Sequence, residues 1–191
     1  MRGGLKIVGT PTSERTAEKA RGLGIPILEL DDLALLDLVI DGADEADAKL
    51  DLIKGGGGAL FREKIVAASG KRMIVIADES KLVARLGAFR LPVEVIAFGH
   101  RTTVSRIAAA AETLGYGNLH PVLRAKDGKP FVTDSGNVIY DCPFGAIIDT
   151  ARLAATLSTI PGVVDHGLFV GMASVLVLAG AGGVRVIERK S

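Results

Sequence analysis

"GGGGALFREKIVAASGKRMIVIAD" (residues 55–78) decides how this chain is built. Four consecutive glycines open the stretch. Ordering glycine costs more backbone entropy than ordering any other residue, so such a run either flexes or lets something approach the backbone closely. Residues from about Ala59 to Ser69 read as a helix, and "RMIVIAD" (72–78) as a strand that ends in an acid. That strand carries apolar residues at successive positions, the mark of a strand covered on both faces in a parallel sheet.

Reading toward the N-terminus, "LKIVG" (5–9) is expected as a buried strand. "SERTAEKARGLG" (13–24) is expected as a helix capped by Ser13 and ended by glycine. The apolar runs "IPILEL" (25–30) and "DLVID" (37–41) follow, so strands and helices alternate. Alternation of this kind predicts an α/β fold, a Rossmann-like and mainly parallel sheet with helices on both faces. Ligands of such sheets sit at the carboxyl ends of the strands, and Asp41 and Asp78 stand at two of those ends.

Toward the C-terminus the rhythm changes after Pro92. Strand-like "VEVIAF" (93–98), helical "RTTVSRIAAAAETLG" (101–115) and strand-like "LHPVLRA" (119–125) come first. After the turn signals "DGKP" and "DSGN" come the strand "GNVIYDC", a helix over 149–160 capped by Asp149, and the strand "VVDHGLFV" (163–170). The order β-α-β-β-α-β is that of a split, ferredoxin-like α+β unit. Residues 93–170 are therefore expected as an inserted lobe, with 1–92 and 171–191 forming the Rossmann-like domain. "GLFVGMASVLVLAGAGGV" (167–184) is uncharged and long enough for a bilayer span, but its glycines fit strand, turn and strand better.

Composition excludes several function classes. Lys and Arg number 23 against 22 Asp and Glu, a net charge of +1 without a basic block, which argues against nucleic-acid or membrane-surface partners. A lone cysteine, Cys142, forms no internal disulfide and points to a reducing, cytoplasmic setting. His100, His120 and His166 are scattered without ligand spacing, so no metal is expected.

Chemistry concentrates between residues 41 and 81. "DLVIDGADEAD" puts Asp41 at a strand end and Asp44 just beyond it, while Glu45 and Asp47 are expected to face water. The pattern admits an acid–base pair or a simple solvated Asp-Gly turn. The glycine run lacks the Ser and Pro padding of a linker, and no Gly-Lys-Ser/Thr closes it as a Walker loop. It reads instead as a nest of backbone N–H groups at a helix start, able to hold a negatively charged oxygen with Lys54 beside it. Glu63 lies one turn into that helix; with Arg62 and Lys64 it reads either as a solvated face or as a base aimed at the anion site. Together these groups suit proton transfer next to a carbonyl.

In this order and spacing "DGADE" (41–45), "KGGGGALFREK" (54–64) and "ADESK" (77–81) resemble the type A ribose-5-phosphate isomerases. So do "LPVEV" (91–95), "FVTDSGNVIYD" (131–141) and "IPGVVDHGLFVG" (160–171), and the likeness runs over nearly the whole chain. The resemblance implies interconversion of ribose 5-phosphate and ribulose 5-phosphate through a cis-enediolate, in the pentose phosphate pathway, with no metal or organic cofactor. It implies a homodimer or tetramer. Carried over residue by residue, it makes Glu63 the base, has Asp41 and Asp44 bind sugar hydroxyls and assist ring opening, and has Lys54 with Gly55, Gly56 and Gly57 stabilise the enediolate. Gly42 and Ala43 would line the substrate site, and Lys81 would bind near the phosphate end.

Two departures stand out. Phe61 occupies a position where many members carry a small polar residue. Members also carry an N-terminal helix and a G-x-G-S-T phosphate turn upstream of the segment that here reads "IVGTPTSERT", and the chain is expected to lack them; "GTPTS" (9–13) aligns with a later strand and helix cap. A non-catalytic sugar-phosphate sensor and a truncated, inactive subunit are the competing readings. A side chain at Gly56 is expected to harm turnover more than folding.

Overall fold

The computed structural model describes residues 6–33 and 35–189. In chain order the elements are α1 (Glu14–Gly22), β1 (Val39–Asp41), β2 (Glu45–Ala46), β3 (Leu52–Ile53), α2 (Leu60–Ala68) and β4 (Met73–Asp78). Next come β5 (Leu91–Val95), α3 (His100–Thr113), β6 (Val122–Leu123), β7 (Ala125–Lys126), β8 (Lys129–Pro130) and β9 (Val138–Cys142). The chain closes with α4 (Thr150–Ser158), β10 (Val163–His166), β11 (Leu168–Phe169), β12 (Val175–Gly180) and β13 (Gly183–Glu188).

The fold is α/β, as expected. One sheet has the order β1-β4-β12-β13, in which β1, β4 and β12 run parallel and β13 returns antiparallel as a hairpin. Val39, Met73, Val75, Leu176 and Leu178 on this sheet pack with Val66 and Ala67 of α2 and with Phe169. Because Asp41 pairs with Val75 in parallel register, the carboxyl ends of β1 and β4 open at the same edge. A second, antiparallel sheet has the order β10-β5-β9-β6, and its Val93, Val95, Val138 and Tyr140 pack with Ile107 of α3 and Leu153 and Leu157 of α4. A small third sheet, β11-β3-β2, lies between these elements in sequence and carries the chain into the site.

The helix ends follow local chemistry. Ser13 caps α1 by accepting from the Thr16 N–H, and Asp149 caps α4 by accepting from the Arg152 N–H. The α2 cap position, Ala59, has no side chain that can do this.

Four expectations need correction. "LKIVG" is not a buried strand: Ile7 and Val8 are exposed, and only Gly9 pairs, in a single parallel bridge to Ile27; residue 5 lies outside the described residues. "IPILEL" forms that same bridge and then a 3-10 turn over Leu30–Asp32. The strand expected over 93–98 begins at Leu91 and stops at Val95, leaving Phe98 92% exposed. "VVDHGLFV" is two strands in two sheets, broken at Gly167. There the Gly167 N–H donates to Pro92 O and the Gly167 carbonyl accepts from the Lys54 N–H. A Cβ on Gly167 would overlap the Lys54 carbonyl, so the close approach that turns the chain from one sheet to the next requires glycine.

Candidate active site

Asp41 ends β1, and its carboxylate is held from two sides. Oδ1 accepts the Gly42 N–H at 2.8 Å and Oδ2 pairs with Lys54 Nζ at 2.9 Å. Lys54 follows β3 and is buried, with 4% of its side chain exposed. Its ammonium also donates to the Gly42 carbonyl at 2.7 Å and stands 5.4 Å from the centre of the buried Phe169 ring. Burial of a lysine charge is tolerable because two carboxylates and a carbonyl surround it.

The second carboxylate is Glu63, 3.2 Å from Lys54 Nζ through Oε2. Oε2 is a buried oxygen lying against that ammonium. Burial pushes the Glu63 carboxyl above the ordinary glutamate range, Lys54 pulls it back, and the nearby Asp41 and Asp44 charges push it up again. A carboxyl whose pKa is raised by burial holds a proton more strongly than an exposed one, which suits it to accept one.

Asp44 faces the glycine run. Its Oδ2 accepts the Gly56 N–H at 2.7 Å, so the nest is not wholly bare as the sequence suggested. Gly55 and Gly58 both adopt positive φ, 109° and 84°. Side chains there would collide with Leu60 and Phe131 respectively, which explains why the run cannot be ordinary helix-start sequence. Gly57 has no such constraint and nothing within 4 Å of where a Cβ would sit.

Asp41, Gly42, Ala43, Asp44, Lys54, Gly55, Gly56, Gly57 and Glu63 line one hollow of about 210 Å³. Lys81 does not line it; it ends the 3-10 turn Glu79–Lys81 that follows β4. Two sets of supporting residues were not foreseen. Glu45 does not face water: it is buried and accepts the Gly87 and Phe89 N–H groups, each at 2.6 Å. Lys64, next to Glu63 on α2, is pinned by Asp165 and the His166 carbonyl, both at 2.5 Å. Neither partnership has a local signature, because the partners lie 42 to 102 residues apart.

The arrangement joins buried carboxylates, an ammonium and a glycine-rich backbone around one small polar hollow, which fits proton transfer at a carbon next to a carbonyl. The family model described as ribose 5-phosphate isomerase A (phosphoriboisomerase A) matches residues 8–183. Ribose-5-phosphate isomerase A of Nitrobacter hamburgensis is 57% identical over 190 residues, spanning 100% of this chain and 82% of the relative. That of Rhodopseudomonas palustris (strain TIE-1) is 58% identical over 186 residues, 97% of this chain and 80% of the relative. Among solved structures, ribose 5-phosphate isomerase from Plasmodium falciparum superposes with a TM-score of 0.90 at 38% identity, covering 96% of this chain and 79% of that one. A D-ribose-5-phosphate isomerase in complex with phospho-erythronic acid gives 0.90 at 36% identity, covering 97% and 79%.

Proposed function

The chain belongs to the ribose 5-phosphate isomerase A family and interconverts ribose 5-phosphate and ribulose 5-phosphate, and from that premise we propose that Asp41, Lys54 and Glu63 carry the reaction. The observation that carries this reading is the buried Oε2 of Glu63, which faces the Lys54 ammonium at 3.2 Å in the hollow. Glu63 takes the C2 proton of the open-chain aldose. The electron pair of the C2–H bond becomes the C1=C2 double bond, and charge moves onto O1 to give the cis-enediolate. Lys54 and the N–H groups of the Gly55–Gly57 run stabilise that oxygen. The O2 proton passes to O1, Glu63 returns its proton to C1, and a ketone remains at C2.

Asp41 and Asp44 bind sugar hydroxyls and assist ring opening, with Gly42 and Ala43 forming the wall between them. Lys81 is the cation assigned to the phosphate end; it follows β4, the strand beside Asp41, at the same sheet edge. No cofactor enters this scheme. We read the working enzyme as a homodimer or tetramer in the cytoplasm. The single cysteine, Cys142, suits a reducing compartment. Exposed apolar residues such as Phe98 and Ile148 supply surface that association would cover. Among the described residues no helix is long and apolar enough to cross a membrane. The division at residues 92/93 and 170/171 keeps the antiparallel sheet, apart from the first two residues of β5, on one side.

Isomerisation in D2O with a chelator present tests the scheme. A proton carried by Glu63 exchanges with solvent, so deuterium at C1 of ribulose 5-phosphate is expected by NMR. A product with no deuterium at C1, together with parental turnover by Glu63→Gln, would indicate a direct hydride shift and overturn the reading.

A further inference from the structure

Behind the glycine run lies a charged pair that this scheme does not use. Arg124, between β6 and β7, donates from Nε to Asp141 Oδ2 at 3.0 Å and from Nη2 to Asp141 Oδ1 at 2.5 Å. Asp141 is held within β9, whose Asp141 and Tyr140 pair with Val122 and Leu123 of β6. Two-point attachment to a carboxylate fixes the plane of a guanidinium, and with it the direction of the remaining nitrogen. That nitrogen, Nη1, donates to the Gly55 carbonyl at 2.7 Å and lies 3.3 Å from the Gly56 carbonyl.

The consequence follows from peptide geometry. In a trans peptide the C=O and N–H bonds point in opposite directions, and the described residues contain no cis bond. The Gly55 carbonyl shares its peptide with the Gly56 N–H, and the Gly56 carbonyl shares its peptide with the Gly57 N–H. Drawing both carbonyls toward Arg124 turns both N–H groups to the opposite side. On that side Gly56 N meets Asp44, and Gly56 and Gly57 line the hollow. A cation on a carbonyl also polarises the N–H of the same peptide, making it a stronger donor.

We propose that Arg124, braced by Asp141, is a positioning residue for the isomerisation: it aims and polarises the Gly57 N–H at the oxygen that becomes negative, and the Gly56 N–H at Asp44. The inference rests on the reading of the glycine run as the enediolate-stabilising element. Lysine cannot replace arginine here, because a single ammonium cannot span the carboxylate and the two carbonyls in one fixed plane.

The test is kcat, KM and Tm for Arg124→Ala, with Glu63→Gln assayed alongside. Donors that act only on the developing charge affect kcat, so a fall of about 100-fold in kcat with little change in KM is expected. A folded Arg124→Ala with parental kcat overturns the proposal, and so does a loss confined to KM or to Tm. If the alanine variant does not fold, Arg124→Lys decides: a low kcat supports the positioning role, and a parental kcat ends it. Parental Arg124→Ala beside an inactive Glu63→Gln defeats this inference alone. An active Glu63→Gln defeats the reading beneath it.

Discussion

Lys54 and Glu63 face each other at 3.2 Å as a buried ion pair. The ammonium directs its hydrogen bond to the Gly42 carbonyl and shares its charge with Asp41 as well. Glu63 is therefore attracted to the cation without being saturated by it. A bidentate ion pair would lower the basicity of this carboxylate, and burial without any cation would raise its pKa further.

This balance makes a stability prediction. Burial raises the Glu63 carboxyl above its unfolded value, so its favourable contribution belongs to the protonated form and is lost as pH rises through the raised pKa. At neutral pH the ionised group opposes folding. Glu63→Gln should give a Tm at or above the parent's, each kcal/mol regained being worth about 2–4 °C for a chain of this size. Thermal melts of the two proteins at pH 7 check it, and a clearly lower Tm would count against it.

Lys54 holds the Glu63 carboxyl down against burial. Lys54→Met should therefore move the acid limb of kcat/KM to higher pH, because Glu63 then gains its proton sooner. It should also lower kcat about 10²–10³-fold through loss of charge opposite the enediolate. A pH–rate profile separates the two effects; an unmoved acid limb would contradict the coupling.

The glycines should not respond alike. A Cβ on Gly56 would stand 2.7 Å from Asp44 Oδ1, the end of a side chain that can swing away. Gly56→Ala should therefore fold with little change in Tm while losing turnover, since Asp44 and the N–H it binds are both displaced. Gly55→Ala combines a φ of 109° with a collision against Leu60 and should lower Tm clearly. Parallel melts and assays of the two variants give the comparison.

His166 carries a pH dependence of its own. Burial, and then the Lys64 ammonium, lower its pKa to about 4, with Asp165 opposing them. Lys64 Nζ lies 3.4 Å from Nδ1, Leu168 N–H donates to the same nitrogen, and Nε2 meets Ser158 Oγ at 3.2 Å. With the folded value below the unfolded 6.5, the stabilisation is complete above pH 6.5 and is lost as pH falls through about 4. Tm measured across that window should fall more steeply for the parent than for His166→Asn.

Much of the site was legible because it is local. Asp41, Asp44, Lys54, the glycines and Glu63 all lie between the end of β1 and the first turn of α2, where strand ends and a helix start converge. Glu45 was misread because an acid beside Asp44 in a polar run looks solvated, and nothing nearby announces the Gly87 and Phe89 N–H groups that bury it. Arg124 was missed for the same reason, its glycine partners being 68 and 69 residues away. The strand boundary at Gly167 depends on how closely Lys54 and Pro92 approach it, a tertiary fact. "LKIVG" failed in the other direction. Its apolar pattern is that of a buried strand, yet Ile7 and Val8 are exposed, as are Ile40 of β1 and Ile76 of β4.

The role of Glu63 as the base is tested most directly by the rate at which the purified chain and Glu63→Gln convert ribose 5-phosphate to ribulose 5-phosphate, with a chelator present. Metal-independent turnover by the parent is expected, with a loss of about 10²–10⁴-fold in the variant, the span of a general base's contribution. Turnover by a folded Glu63→Gln at the parent's rate would contradict that role.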